Sequence, residues 1–281
     1  MKDWGSYLNQ LPIMPEVAAK VLKLADSRLM SFTSLEETIL QDPGITARIL
    51  KIANSAQFAR QHQISQVRTA ITLLGLNTIK NLVVLLAGSG LFGREASTPF
   101  YRHYWSHSLF TAFTARDLCL FLGYRDQADS AFVGGLLHDI GQIPLYLSDP
   151  VGYQQLVEVA VRNRTRLSHE EDSAWQVNHH EVGAKVLQSW GFPQFLIDSA
   201  LEHGNPQITS QHKLIISALT FADFLNSPRY QQLPQDLSSM ATHFGFLGLS
   251  PVRLENFNKA QEEQLREDRL YRECRAMLKL A

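Results

Sequence analysis

His107, the adjacent pair His138-Asp139, His179 with His180 beside it, His203 and Asp223 are the residues of this chain whose types could do chemistry together. Imidazole and carboxylate bind divalent transition metals without sulfur. Each of these residues lies in a segment that reads as helix or helix end. Side chains on separate helices meet only where a bundle brings them together. The set therefore points to a divalent metal site inside a helical domain. In AFVGGLLHDIGQ, His138 and Asp139 end an apolar helix just before Gly141. Consecutive helical residues point about 100° apart, so the two approach one site from slightly different directions. That suits His138 as ligand to one metal and Asp139 as a carboxylate able to bridge toward a second. By itself, a His-Asp dipeptide reads more readily as a solvated helix end, and His107 alone as a hydrogen-bonded interior histidine. Asp223, in the apolar stretch TFADFL, would cost on the order of several kcal/mol to bury unpaired. A metal or a histidine partner relieves that cost.

The elements that must position these groups carry helical punctuation. Thr33-x-x-Glu36 and Ser34-x-x-Glu37 match capping boxes. Asp42-Pro43 reads as N-cap and N1 of ITARILKIANSA. Gly75 stops a helix, and Asn77 caps the next. Thr98-Pro99 opens a helix that runs through His107 to about Leu122, where Gly123 ends it. Further helices are expected from about Asp126 to Ile140, Glu181 to Trp190, Pro193 through Ala200, Leu214 to Leu225 and Pro251 to Leu280. No alternating β-branched run bounded by hairpin turns occurs. The expectation is an all-α protein. Arg48, Lys51 and Asn54 share one side of a helix, as a core edge with a capping Asn or as a partner surface. The last helix is amphipathic and reads either as a surface helix packing Leu254, Phe257, Leu265 and Leu270 or as a partner or homodimer helix. His103, His169 and His212 read as surface residues.

Bulk composition narrows the function classes. The 281 residues are 45% apolar and 19% charged, with 26 basic against 27 acidic side chains and a net charge of -1. A nucleic-acid groove or an acidic-membrane surface needs clustered Lys and Arg, so neither partner is expected. Cys119 and Cys274 make no CxxC pair and no disulfide framework, which fits a reducing cytosol. The N-terminal MKDWGSYLNQLPIMPEV lacks the apolar stretch of a signal peptide. The longest greasy segment, Leu82 onward to Leu91-Phe92, is broken by Gly88 and Gly90 and falls short of the ~20 residues that span a bilayer. A cytoplasmic protein is expected.

HSLFTA, LLHDIGQ, HHEVGAKVLQSWGFP, ALEHG and LTFADFL together resemble the HD superfamily of metal-dependent phosphohydrolases. The resemblance implies His107, His138, Asp139 and Asp223 as ligands of a first metal. The binuclear branch, which includes the HD-GYP phosphodiesterases, implies His179 and His203 near a second; His180 beside them reads as facing solvent or as a supporting hydrogen-bonding neighbour. LPIMPEVAAKVLKLA, QDPGITARILKIANSAQF and AITLLGLNTIKNLV are similar to the N-terminal half of HDOD, the HD-related output domain of bacterial signalling proteins. Together they cover residues 8–230. The implied architecture is an N-terminal helical subdomain over 1–97, an HD-like bundle over 98–230 and a C-terminal helical extension over 231–281.

The departures bear on activity. No GYP triplet occurs, and Glu202-His203-Gly204 stands where the binuclear branch has a His pair. Gln142 replaces the Lys that follows HDIG in catalytic relatives. On the substrate side, a neutral amide cannot supply that point charge to a phosphate. These losses argue against cyclic-di-GMP hydrolysis. Two functions stay open: a regulatory HDOD protein acting through a protein partner in a signalling pathway, and a metal-dependent phosphohydrolase acting on a phosphomonoester or nucleotide. The ligand types fit one or two ions of iron, manganese, zinc or nickel.

Overall fold

The computed structural model describes residues 16–26, 31–55, 63–91, 98–226 and 240–280. Among them the chain is all-α, with no strand. The N-terminal helices are α1 (Glu16–Asp26), α2 (Phe32–Leu40), α3 (Pro43–Ala53), α4 (Val67–Leu74) and α5 (Leu76–Ser89). Then come α6 (Pro99–Leu122), α7 (Arg125–Leu137), α8 (Gln142–Ser148), α9 (Pro150–Asn163), α10 (Leu167–Trp175), α11 (His179–Ser189), α12 (Gln194–Glu202) and α13 (Lys213–Asn226). The chain closes with α14 (Ala241–Leu247), α15 (Pro251–Glu267) and α16 (Arg269–Met277).

Local chemistry explains the boundaries, and some differ from the sequence reading. Asp42 caps α3 through Gly44 and Ile45, with Pro43 at the first position, as its sequence predicts. Thr98-Pro99 and Gly123 bound α6 as expected. The capping box of α2 belongs to Ser31 and Ser34 rather than to Thr33 or Ser34 with a Glu, because two hydroxyls satisfy the helix start one turn earlier. Gly75, at φ 87°, ends α4 and itself opens α5. Asn77 is therefore not a cap; it sits in the first turn and donates to Asp129. The helix expected to reach Ile140 stops at Leu137, and 138–141 form turns. The C-terminal helix is broken at Asp268, whose side chain caps α16 through Tyr271. Leu254, Phe257 and Leu265 are buried against the body of the protein, which is the packing-helix alternative. Arg48 and Lys51 are exposed, while the Asn54 side chain donates to the Leu50 carbonyl and ties the end of α3 to Ile64 by two hydrogen bonds.

Helix α6 is the axis of the molecule, packed along α7 and α13 and flanked by α15 and α16. Its approach to α7 is close because Gly135 offers no side chain: a Cβ there would lie 2.4 Å from the Ala112 Cα. A continuous buried cluster runs from Val17 through Tyr104, Phe132 and Leu187 to Leu265 and Leu280, so α1–α5 share their core with the bundle and with the C-terminal helices. The expected boundary near Gly93 to Thr98 falls mostly on residues outside the described ones. Cys119 and Cys274 are free and buried, and burial pushes both thiols up, Cys119 to about 12. Among the described residues no single helix is long and apolar enough to cross a membrane. The pair α4–α5 passes by length and composition, yet it is bent by 113° and α5 is buried from Ile79 to Ser89.

Candidate metal centre

The fold brings the dispersed histidines and aspartates to one place. His107 comes from the third turn of α6, His138 and Asp139 from the turn after α7, and His179 and His180 from the start of α11. His203 ends α12, and Asp223 lies on α13. Asp139 stands at the middle, almost fully buried. Its Oδ2 faces His107 Nε2 at 3.4 Å and His138 Nε2 at 3.5 Å, while its Oδ1 faces His179 Nε2 at 3.4 Å and His203 Nε2 at 3.3 Å. Asp223 Oδ1 is 3.3 Å from His107 Nε2, and the His107 and His138 Nε2 atoms are 3.1 Å apart. Three overlapping groups, His107–His138–Asp223, His138–Asp139–His203 and His179–His180–His203, each hold their donor atoms within 4.8 Å of one another.

The hydrogen bonds behind the rings decide what those atoms can do. His138 Nδ1 faces the Gly135 carbonyl at 2.9 Å, His203 Nδ1 the Ser199 carbonyl at 2.9 Å, and His180 Nδ1 the Ala200 carbonyl at 3.2 Å. His179 Nδ1 lies 2.6 Å from the Glu171 carboxylate. Each of those partners accepts, so each Nδ1 carries the proton and each neutral ring keeps its lone pair on Nε2. Such anchoring fixes tautomer and orientation in metal-binding histidines. His107 differs: the Asn226 Nδ2 amide donates to its Nδ1 at 2.8 Å, so its neutral ring is not held in this tautomer.

Without a metal charge these groups pair with one another. Burial opposes the charged form of His107, yet hydrogen bonds to Asp139 and Asp223 raise it to about 10. His179 is likewise raised to about 9 against burial, chiefly by Glu171. Burial drives His138 down to about 4, and burial with two neighbouring imidazoles holds His180 well below its ordinary value. Asp139 and Asp223 stay ionised against burial because the imidazoles surround them.

Other expected residues take different places. Gln142 donates to Asp139 Oδ2 at 2.6 Å and also lines the cavity over the centre. Glu202 turns away and bonds Thr209 and Ser210, and His180 stands in the trio instead. His169 is exposed, as expected. His212 is not simply on the surface: it lies 2.9 Å from Asp198. His103 lines the cavity that opens on the centre. Glu171, Tyr153, Asn226 and His243 escaped the sequence reading. Asn226 had a signal, since it follows Asp223 by three residues and shares its helix face. Glu171 had none: LSHEED reads as a solvated turn, and Glu170 beside it looks the same.

A cavity of about 640 Å³ lies over the centre, lined by Asp139, His179, His180, His203 and Asp223 together with Phe100, Tyr104 and three arginines. The donors, five imidazoles, four of them with Nδ1 tied to an acceptor, and two carboxylates, are a set that borderline divalent ions accept.

A family model of the HDOD domain matches residues 11–206. The chain belongs to the HDOD family. An uncharacterised protein of Treponema pallidum (strain Nichols) is 23% identical over 239 residues, which are 83% of this chain and 46% of that protein. The chain thus spans about half the length of this curated relative. A solved structure from Shewanella amazonensis SB2B, provisionally named a phosphohydrolase, superposes with a TM-score of 0.72 at 22% identity, covering 97% of each chain. Another, from Marinobacter aquaeolei VT8 and provisionally named a signal-transduction protein, gives 0.78 at 21% identity, covering 100% of this chain and 61% of that one. At that identity the likeness is one of fold.

Within this HDOD protein, Glu171 is the outer residue on which the centre leans most. It is fully buried. One oxygen accepts from the His179 backbone N–H at 2.8 Å and from its Nδ1, and the other accepts from the Tyr153 hydroxyl at 2.6 Å. Glu171→Gln keeps the shape and removes the charge that orients His179. Metal affinity is expected to fall about 10–100-fold, read by chelator competition with helix content unchanged. Equal affinity in both proteins would show that Glu171 only packs.

Proposed function

We propose that this HDOD protein is a regulatory protein built around a divalent metal centre, acting in the cytoplasm through a protein partner in a signalling pathway. One observation carries the centre: four imidazoles have Nδ1 tied to carbonyls or a carboxylate, and three of them, His138, His179 and His203, turn Nε2 toward the oxygens of Asp139, as His107 does. His107, His138, Asp139 and Asp223 would hold a first ion. His179, His180 and His203, with the other Asp139 oxygen, would hold a second. Iron, manganese, zinc and nickel all suit these ligands. Regulation is favoured because Gln142, a neutral amide that donates to Asp139, occupies the place of a phosphate-binding Lys.

The cavity over the centre favours a second reading, a metal-dependent phosphohydrolase acting on a phosphomonoester or nucleotide. A bound divalent ion would supply Lewis acidity toward a phosphoryl oxygen. In that reading Asp139 and the histidines fix the geometry, and Phe100 and Tyr104 exclude water from the inner wall. One experiment separates the two. Metal-reconstituted protein is incubated with a panel of phosphomonoesters and nucleotides, and in parallel is cross-linked to partners in cell extract with and without chelator. The regulatory reading expects no metal-dependent turnover and a partner whose capture depends on the metal. Turnover abolished by chelator, with no partner captured, would transfer the assignment to the hydrolase.

A further inference from the structure

We infer that α16, outside the 11–206 span matched by the family model, supplies the residue that selects the cavity's ligand: Arg275, recognising the phosphate of a ring-bearing phosphorylated small molecule. The inference rests on the metal-centre reading and adds the ligand class to it.

Charge sets the class first. Among the described residues lining the cavity the acidic ones are Asp139 and Asp223, both engaged with the histidine cluster, while Arg164, Arg166 and Arg275 are cationic. The charged side chains of the lining outside the cluster are thus all cationic, and divalent ions in the centre would add to the positive field. An anion is the occupant such a wall recruits. The cations are all arginines, whose planar fork matches a phosphate better than an ammonium does.

Arg166 is tied through Nη1 to the Gly204 carbonyl, and Arg275 is held ready as well. Its Nη2 donates to the Leu280 carbonyl at 2.7 Å and its guanidinium stands 5.8 Å from the Tyr271 ring centroid. A guanidinium carries five donors, so one is used to aim the rest. Helix α16 is in turn fixed to α6, the helix that carries His107. Arg116 bonds Asp268 at 3.2 Å and Asp117 at 2.7 Å, Gln261 donates to Asp117 at 3.0 Å, and Tyr271 meets Phe113 edge-on at 5.1 Å. Cys274, Leu278 and Leu280 are buried in the shared core. A donor held this firmly loses little freedom on binding. Phe100, Phe110, Phe224 and Tyr271 line the same space, and a cavity of about 640 Å³ suits a molecule with a ring beside its phosphate.

The test is calorimetric titration of the full metal-loaded chain with phenyl phosphate, inorganic phosphate and benzoate, for the wild type, Arg275→Ala and Arg275→Lys. Phenyl phosphate is expected to bind tightest. Arg275→Ala should weaken it about tenfold or more, as loss of a charged hydrogen bond does, and Arg275→Lys should recover part of that. Metal content and melting temperature should match the wild type. Binding that is indifferent to Arg275, absent in the metal-loaded wild type, or as tight for benzoate as for phenyl phosphate would overturn the inference. Should the wild type hold no metal after reconstitution, the same titration is run metal-free. Arg275-dependent binding there would remove only the metal-centre reading, and its absence would remove both.

Discussion

Asp139→Ala is expected to empty the centre: from one or two metal ions per chain in the wild type to essentially none, measured by elemental analysis after dialysis. The size of the effect follows from position. Asp139 is the one side chain whose two oxygens face the two histidine groups separately, Oδ2 toward His107 and His138 and Oδ1 toward His179 and His203. Its loss therefore removes a ligand from both halves of the centre at once. Losing an outer partner such as Glu171 costs about 10–100-fold in affinity, and loss of this carboxylate should exceed that. Alanine also leaves four imidazoles facing a small cavity, so Asp139→Asn is the companion variant. It preserves volume and removes the charge, and it should lose metal as well. His169→Ala, exposed and away from the cavity, should keep it. An Asp139→Asn protein with wild-type metal content would refute the centre as assigned, whatever its activity.

The second large effect is expected from Gly141→Ala. Gly141 has φ −67° and ψ −18°, a conformation that alanine adopts freely, so its backbone does not require glycine. Space does. A Cβ there would lie 2.0 Å from the His179 carbonyl oxygen and 2.5 Å from the Gly183 backbone N. Both obstacles are main chain, and neither can swing aside as a side-chain tip could. Relief requires the turn after α7 to part from the start of α11. Overpacking of this kind costs about 1–3 kcal/mol and sometimes more, and a main-chain clash on both sides places it at the upper end. At about 2–4 °C per kcal/mol for a protein of this size, thermal denaturation should show a fall of roughly 6–12 °C. The same displacement carries His179 away from Asp139, so metal should be held more weakly at temperatures where the fold persists. A melting point within 2 °C of the wild type, with normal metal affinity, would mean that the two segments are not in contact.

Much of this protein was legible before its fold was known. Pro43 behind Asp42, Pro99 behind Thr98, and the apolar periodicity of each segment specify helices because capping and one-sided burial are local physics. The histidines and aspartates were legible as a set through the motifs that resemble the HD superfamily, since taken singly His107 and the His138-Asp139 pair read as ordinary interior or solvated residues. Where local signals competed, the reading slipped. Ser31 outbid Thr33 for the cap of α2, and the helix expected to reach Ile140 ended at Leu137, so that His138 and Asp139 come off a turn rather than a continuous helix.

What the sequence determined by itself is the all-α class and the positions of most helices, since both depend on neighbours within a few turns; the candidate metal ligands came from motifs that resemble the HD superfamily. What only the tertiary structure decided is which atoms meet. Glu171 and Glu170 are indistinguishable in sequence, yet one reaches His179 and Tyr153 while the other bonds Thr165. Gln142 became a partner of Asp139, and His180 joined the trio in place of Glu202. Arg275 came to the cavity from the far end of the chain. Gln142 meets Asp139 only three residues away and Glu171 meets His179 eight away, yet His180 with His203 and Arg275 with the cavity depend on distant segments packed together, and the buried core that packs them draws on most of the helices.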